Sequence, residues 1–259
     1  AMRTTTESSK GPTVDFLSPL SAPSYYGPDS IHWQVFKNPI ALGIGGICAV
    51  LLEFAEPRIR SGVWDHSTFK IDPIGRSERT GLVAMASVYA PRQTAEKIIA
   101  GVTRMHQRVM GETPAGQPYH AMDPELLNWV AATAGYGFLK AYVSFVRPLT
   151  AAEQSRFWQE GEGLGPLWGV TQAPKSEKEF LQMMNALAPG FEPHPINQEF
   201  LEIVRTTTSA EEVPPFVRRA VTRAAVALLP PLVRERLALG KEYDLRLADK
   251  LALKLIGAL

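Results

Sequence analysis

The sequence predicts an all-α fold, and three observations carry that prediction. Apolar residues recur at helical spacing in one segment after another. Helices are opened by paired signals, a capping side chain followed by proline, at Asn38-Pro39, Asp72-Pro73 and Asp123-Pro124. No segment sustains the period-two alternation of strands bounded by hairpin turns. The expected architecture is a single globular multi-helix domain over residues 31–259, preceded by a flexible, extended N-terminal arm over residues 1–30.

Each element follows in order. The arm is rich in Ser, Thr, Pro and Gly, with Phe16-Leu17 and Tyr25-Tyr26 as the pieces able to pin it to the body. Pro39 to Phe54 reads as a buried core helix that ends at Glu53 and Glu56; Cys48 sits in it as a small buried hydrophobe. Its Gly43-Ile44-Gly45-Gly46 stretch follows no strand and reads as close helix packing. Asp72-Pro73 opens the next helix, and Thr94 to Met110 forms another, with Gly111 as its C-terminal cap. Asp123-Pro124 starts a long helix on which Trp129, Tyr136 and Tyr142 are core aromatics. Thr150 with Glu153, and Ser176 with Glu179, are capping-box patterns. Proline joints at Pro189–Pro195, Pro214-Pro215 and Pro230-Pro231 punctuate the later half without marking a domain boundary.

Composition narrows the function classes. The 259 residues are 45% hydrophobic and 20% charged, enough to fill a sizeable core. A formal net charge of +1 offers no overall footprint for nucleic acid or an anionic membrane. One cysteine forms no internal disulfide and no zinc-type spacing. No stretch reaches the roughly 18 apolar residues of a membrane span, and Ala1 to Pro12 is polar, so a cytoplasmic location is expected. The Glu-x-x-His, His-Glu-x-x-His, Gly-x-Ser-x-Gly and Gly-x-Gly-x-x-Gly patterns are absent.

Two helices carry candidate chemistry. On the first, Ile98, Ile99, Val102, Met105 and Val109 form one apolar face, and His106 sits among them. A histidine there is either a core residue bonded to a neighbouring polar group or a haem ligand, and spacing does not choose between the two. On the other, Arg76, Thr80 and Val83 line up at i, i+4 and i+7, with Arg79 beside them. These basic groups either pair with acids such as Glu78 or face a pocket, where a guanidinium holds an anionic group and a hydroxyl donates to bound oxygen. His66 is either a local turn histidine or a second pocket residue able to act as acid or base. His120 reads as structural, and His32 and His194 as surface residues.

Five separated motifs carry a resemblance over residues 30–240. They are Gly62-Val63-Trp64-Asp65-His66-Ser67-Thr68-Phe69, Asp72-Pro73 with Gly75-Arg76-Ser77-Glu78-Arg79-Thr80, Arg104-Met105-His106, Met122 to Val130, and Phe145 to Thr150. In order and spacing the chain resembles the MpaB-like oxygenase family, which includes the rubber oxygenases. The resemblance implies an all-α fold with haem b between helices and iron held by His106. It places Arg76, Arg79 and Thr80 on the other side of the haem, and it implies dioxygen and a small apolar substrate, isoprenoid in the characterised members and cleaved at a carbon–carbon double bond. Haem-dependent monooxygenation, peroxidase-like chemistry and non-enzymatic haem binding remain as alternatives. Glu56 and Ala131 stand where many relatives carry histidine, and Arg79 where lysine is found; these departures bear on substrate and mechanism rather than on fold.

Overall fold

A computed structural model describes residues 14–19, 21–206 and 213–257. The remainder of the N-terminal arm lies outside the described residues. Among the described residues the chain forms twelve α-helices: α1 (Ile31–Phe36), α2 (Pro39–Ala55), α3 (Pro57–His66), α4 (Pro73–Tyr89), α5 (Arg92–His106), α6 (Pro124–Phe145), α7 (Ala151–Glu160), α8 (Glu177–Leu187), α9 (Pro195–Thr206), α10 (Pro215–Ala227), α11 (Pro231–Arg236) and α12 (Leu247–Gly257). The helix starts follow local chemistry. Asn38 accepts from the amides of Ile40 and Ala41, Asp72 from Gly75 and Asp123 from Glu125. Thr150 and Glu153 close both halves of a capping box, and Ser176 accepts from the amide of Glu179. Less usual capping side chains also serve: Glu56 accepts from Arg58 N to open α3, and His194 Nδ1 from Ile196 N at the start of α9.

The core is organised around α2 and α6, which make the most extensive contact between any two elements. Glycines allow it. A Cβ on Gly45 would lie 2.8 Å from the Cα of Phe138, and one on Gly137 would be driven into the carbonyl of Gly45. Trp129 is fully buried and donates to Leu52 O at 3.2 Å, and Tyr136 donates to Leu228 O at 2.9 Å. Phe180 of α8 stacks on both rings, with centroids 5.5 Å from Trp129 and 4.2 Å from Tyr136. Burying one such ring contributes roughly 1.5–3 kcal/mol. The α10 and α12 helices cover another side of α2. The α4–α5 pair closes on itself, on α1 and on the 3-10 turn Gly165–Trp168, and only slightly on α2 and α6.

Two expectations are corrected. The α5 helix stops at His106, and Gly111 is not its cap: it lies in an antiparallel ribbon of β1 (Met110–Glu112) and β2 (Pro118–His120). The ribbon is closed by Gly116 at φ +77, and a Cβ on Gly111 would lie 2.7 Å from the Tyr119 hydroxyl. Strands of three residues are too short to show alternation. His32 is no surface residue. Its ring lies between Tyr26 and Phe157, with centroids 4.3 and 4.0 Å away, and Nδ1 is 3.2 Å from Glu160. Burial lowers its pKa, and Glu160 opposes that shift. Of those partners, Phe157 and Glu160 come from a distant part of the chain. Tyr26, with Tyr25 donating to Glu96, pins the described end of the arm.

Among the described residues no single helix is long and apolar enough to cross a membrane. Together α2 and α3 pass that test only across a 113° bend, and α2 is enclosed by the core.

Candidate active site

The α4–α5 pair makes few contacts with the α2–α6 pair, and across this loosely packed gap Glu53 of α2, Arg76 of α4 and His106 of α5 are linked by charge, with Thr133 of α6 bonded to Glu53. The helical period puts them there. On α2, Leu42, Gly46, Val50 and Glu53 fall at i, i+4, i+8 and i+11, and all four are only partly buried, as is Ile47 beside Gly46. On α4, Leu82, Val83, Ala84 and Met85 are likewise half-buried. Of the apolar face of α5 only Ile99 is fully buried; Ile98 and Val102 are half-buried, and Met105 is 57% exposed. An apolar surface that is neither core nor solvated face is what a bound apolar molecule covers.

The charges in the gap are incompletely matched. Glu53 lies deep in the protein, yet part of it remains accessible, so it borders open space. Burial pushes its pKa up to about 7, against the opposing pull of Arg76 and Thr133. The hydrogen bond that it receives from Thr133 is long, 3.4 Å, because the same hydroxyl donates to Val130 O at 2.8 Å. Arg76 is drawn down by burial; the charge of Glu53 opposes this and that of Arg79 adds to it. His106 is drawn down by burial and by Arg76. Among the described residues neither the His106 ring nor the Arg76 guanidinium makes a hydrogen bond or an ion pair.

The other residues singled out in the sequence are committed elsewhere. Arg79 pairs with Asp72 at 3.2 Å and donates to Thr68 Oγ1 at 2.8 Å, tying the loop before α4 to its first turns. Thr80 is exposed, and its hydroxyl donates to Arg76 O at 2.9 Å. His66 ends α3, exposed, with Nε2 3.1 Å from the Tyr119 hydroxyl. Glu56 pairs with Arg58, which also reaches Glu125, so the acid at this position braces the start of α3. Glu53 and Thr133 were not anticipated. The sequence offers only an acid at the end of an apolar helical stripe, which does not say which way its carboxyl turns.

The donor set bears on what the gap holds. Among the described residues no group of three or more His, Cys, Asp and Glu side chains could hold a bare metal ion. A single free imidazole is the axial donor that a porphyrin, supplying four ring nitrogens of its own, completes. A flat apolar macrocycle with anionic propionates also suits a gap lined by half-buried apolar residues and an unpaired guanidinium. The residues present therefore fit haem. No curated protein and no solved structure matches the chain. Residues 33–258 match the family described as "ER-bound oxygenase mpaB/B'/Rubber oxygenase, catalytic domain", and the chain belongs to that family of oxygenase catalytic domains.

Proposed function

We propose that the chain is a haem b-dependent oxygenase that uses dioxygen on a small apolar, isoprenoid-like substrate bound between the α2–α6 and α4–α5 walls. The observation that carries the reading is the pairing of a free imidazole, His106, with a free guanidinium, Arg76, beside the half-buried apolar faces of α4 and α5. When bound, haem supplies the iron that activates dioxygen. His106 would hold the iron: burial and the charge of Arg76 favour the neutral imidazole, the form that binds a metal. Arg76 would hold an anionic group of the cofactor, such as a propionate. Glu53, whose pKa of about 7 lets it carry or release a proton near neutrality, is the proton-holding group of the opposite wall. Arg79 and Thr80 support the site from α4: one anchors the start of that helix, and the other bonds the carbonyl of the residue that points inward. His66, held by Tyr119, braces α3.

The proposed reaction is cleavage of a carbon–carbon double bond into two carbonyls. One dioxygen supplies both oxygens and no external reductant is consumed. Monooxygenation is the rival, and it requires two electrons from a donor. A cytoplasmic setting is part of this proposal.

Absorption spectra of the purified protein test the proposal. A Soret band that shifts with dithionite and carbon monoxide, and is lost in His106→Ala, is the expected result. Product masses then separate two carbonyl fragments from a single added oxygen. Absence of the band after haem is supplied during expression refutes the haem assignment. Full loading without oxygen consumption on any unsaturated apolar compound leaves a haem-binding protein.

A further inference from the structure

The α12 helix carries a row of leucines that nothing among the described residues covers. Leu247, Leu251 and Leu255 are 75%, 61% and 70% exposed. Their four-residue spacing runs parallel to that of Asp249, Leu253 and Gly257, which are buried against the body. At about 100° per residue the two rows lie about 160° apart, so the leucines point away from the protein. The buried row is firmly attached: Arg223 of α10 grips Asp249 through two bonds of 2.7 Å, and Gly257 sits directly on Phe145 O. The outward face is therefore rigidly presented.

The charge on that face identifies the occupant. Lys250 and Lys254 are exposed along one flank of the leucine row, and Arg246 just precedes the helix. The only acid on α12 among the described residues, Asp249, is turned inward and neutralised by Arg223. A second copy docking through this row would bring no carboxylate to these ammoniums. A layer of anionic headgroups matches them, while the leucines enter the acyl boundary and the lysine stems extend along it. The total charge of +1 hides this local asymmetry.

We propose that α12 is a membrane-surface docking helix, which lays its leucine row into the interfacial layer of a bilayer that carries anionic phospholipid. The inference stands independently of the haem reading.

Sedimentation of the purified full chain with vesicles tests it. One vesicle set is phosphatidylcholine alone and the other contains phosphatidylserine as well. Binding to the phosphatidylserine vesicles that salt weakens is expected. The Leu247→Gln/Leu251→Gln/Leu255→Gln variant should lose it with unchanged circular dichroism, since these side chains touch no core. Lys250→Ala/Lys254→Ala should weaken it about 25-fold, about fivefold for each basic group near an anionic surface. A wild-type chain that stays in the supernatant with both vesicles overturns the proposal. So does equal binding by the leucine variant. A dimer that the leucine substitutions dissolve, with no vesicle binding, would make the row an interface between copies instead.

Discussion

Replacing Glu53 by glutamine changes one oxygen to an amide nitrogen and removes the charge whose burial dominates the electrostatics of the gap. In the unfolded chain the carboxyl titrates near its ordinary 4.5; in the folded protein burial holds it near 7. Below the lower value it is protonated in both states and imposes no penalty. Between the two values the unfolded chain releases the proton and the folded chain keeps it, so each rise in pH favours unfolding. Above about 7 the carboxylate is charged and buried, and the penalty is complete. Glutamine does not titrate, so the stability advantage of Glu53→Gln should grow from about 1 kcal/mol near pH 5 to about 3 kcal/mol near pH 8, apart from a constant offset. Urea unfolding of both haem-free proteins across that range measures the difference, with the common titrations of His32 and His106 cancelling. Parallel stability curves would refute the reasoning, and would mean that water or movement of Arg76 relieves the charge.

Other predictions bear on the frame around the gap. Gly137→Ala places a methyl group against the carbonyl of Gly45, backbone on backbone, and should destabilise by at least about 3 kcal/mol, read as a drop in the denaturation midpoint. Asp249→Asn breaks the two-pronged pair with Arg223 that fixes α12, at a cost of about 3 kcal/mol at neutral pH. The Arg223 guanidinium holds the pKa of Asp249 below the usual carboxylate range. Its contribution is therefore present above that range and lost in acid, where the variant and the wild type should converge in thermal melts.

Legibility followed the range over which each feature is determined. Asn38, Asp72, Asp123, Thr150 and Ser176 cap helices through amides two or three residues away, and a neighbouring motif in the sequence is enough to place them. His106 was visible because an imidazole interrupts an apolar stripe. Glu53 was not, because the end of a helix looks the same whether its acid turns to water or into a gap, and only the facing α4 decides. Arg79 pairs with an acid, one of the two readings its spacing left open, though with Asp72 rather than Glu78, and Thr80 bonds the Arg76 carbonyl one turn back. His32 depends on Phe157 and Glu160 as well as nearby Tyr26, and no pattern near residue 32 announces the two from α7. The ribbon after α5 is too short for periodicity and rests instead on the seating of Gly111 against Tyr119.

The crossing of α2 and α6 makes the two sides of the gap mechanically unequal. Where Gly45 and Gly137 meet, main chain rests on main chain, with no side chain left to rotate or compress. That side behaves as an anvil. The α4–α5 side is hinged at the turn through Pro91 and leans on its neighbours more lightly, so compliance resides there. If a bulky guest spreads the two sides, the lightly packed α4 and α5 are the ones expected to yield, carrying Arg76 and His106 away from Glu53. The reach between the moving cation and the fixed acid then gauges how far the protein has opened.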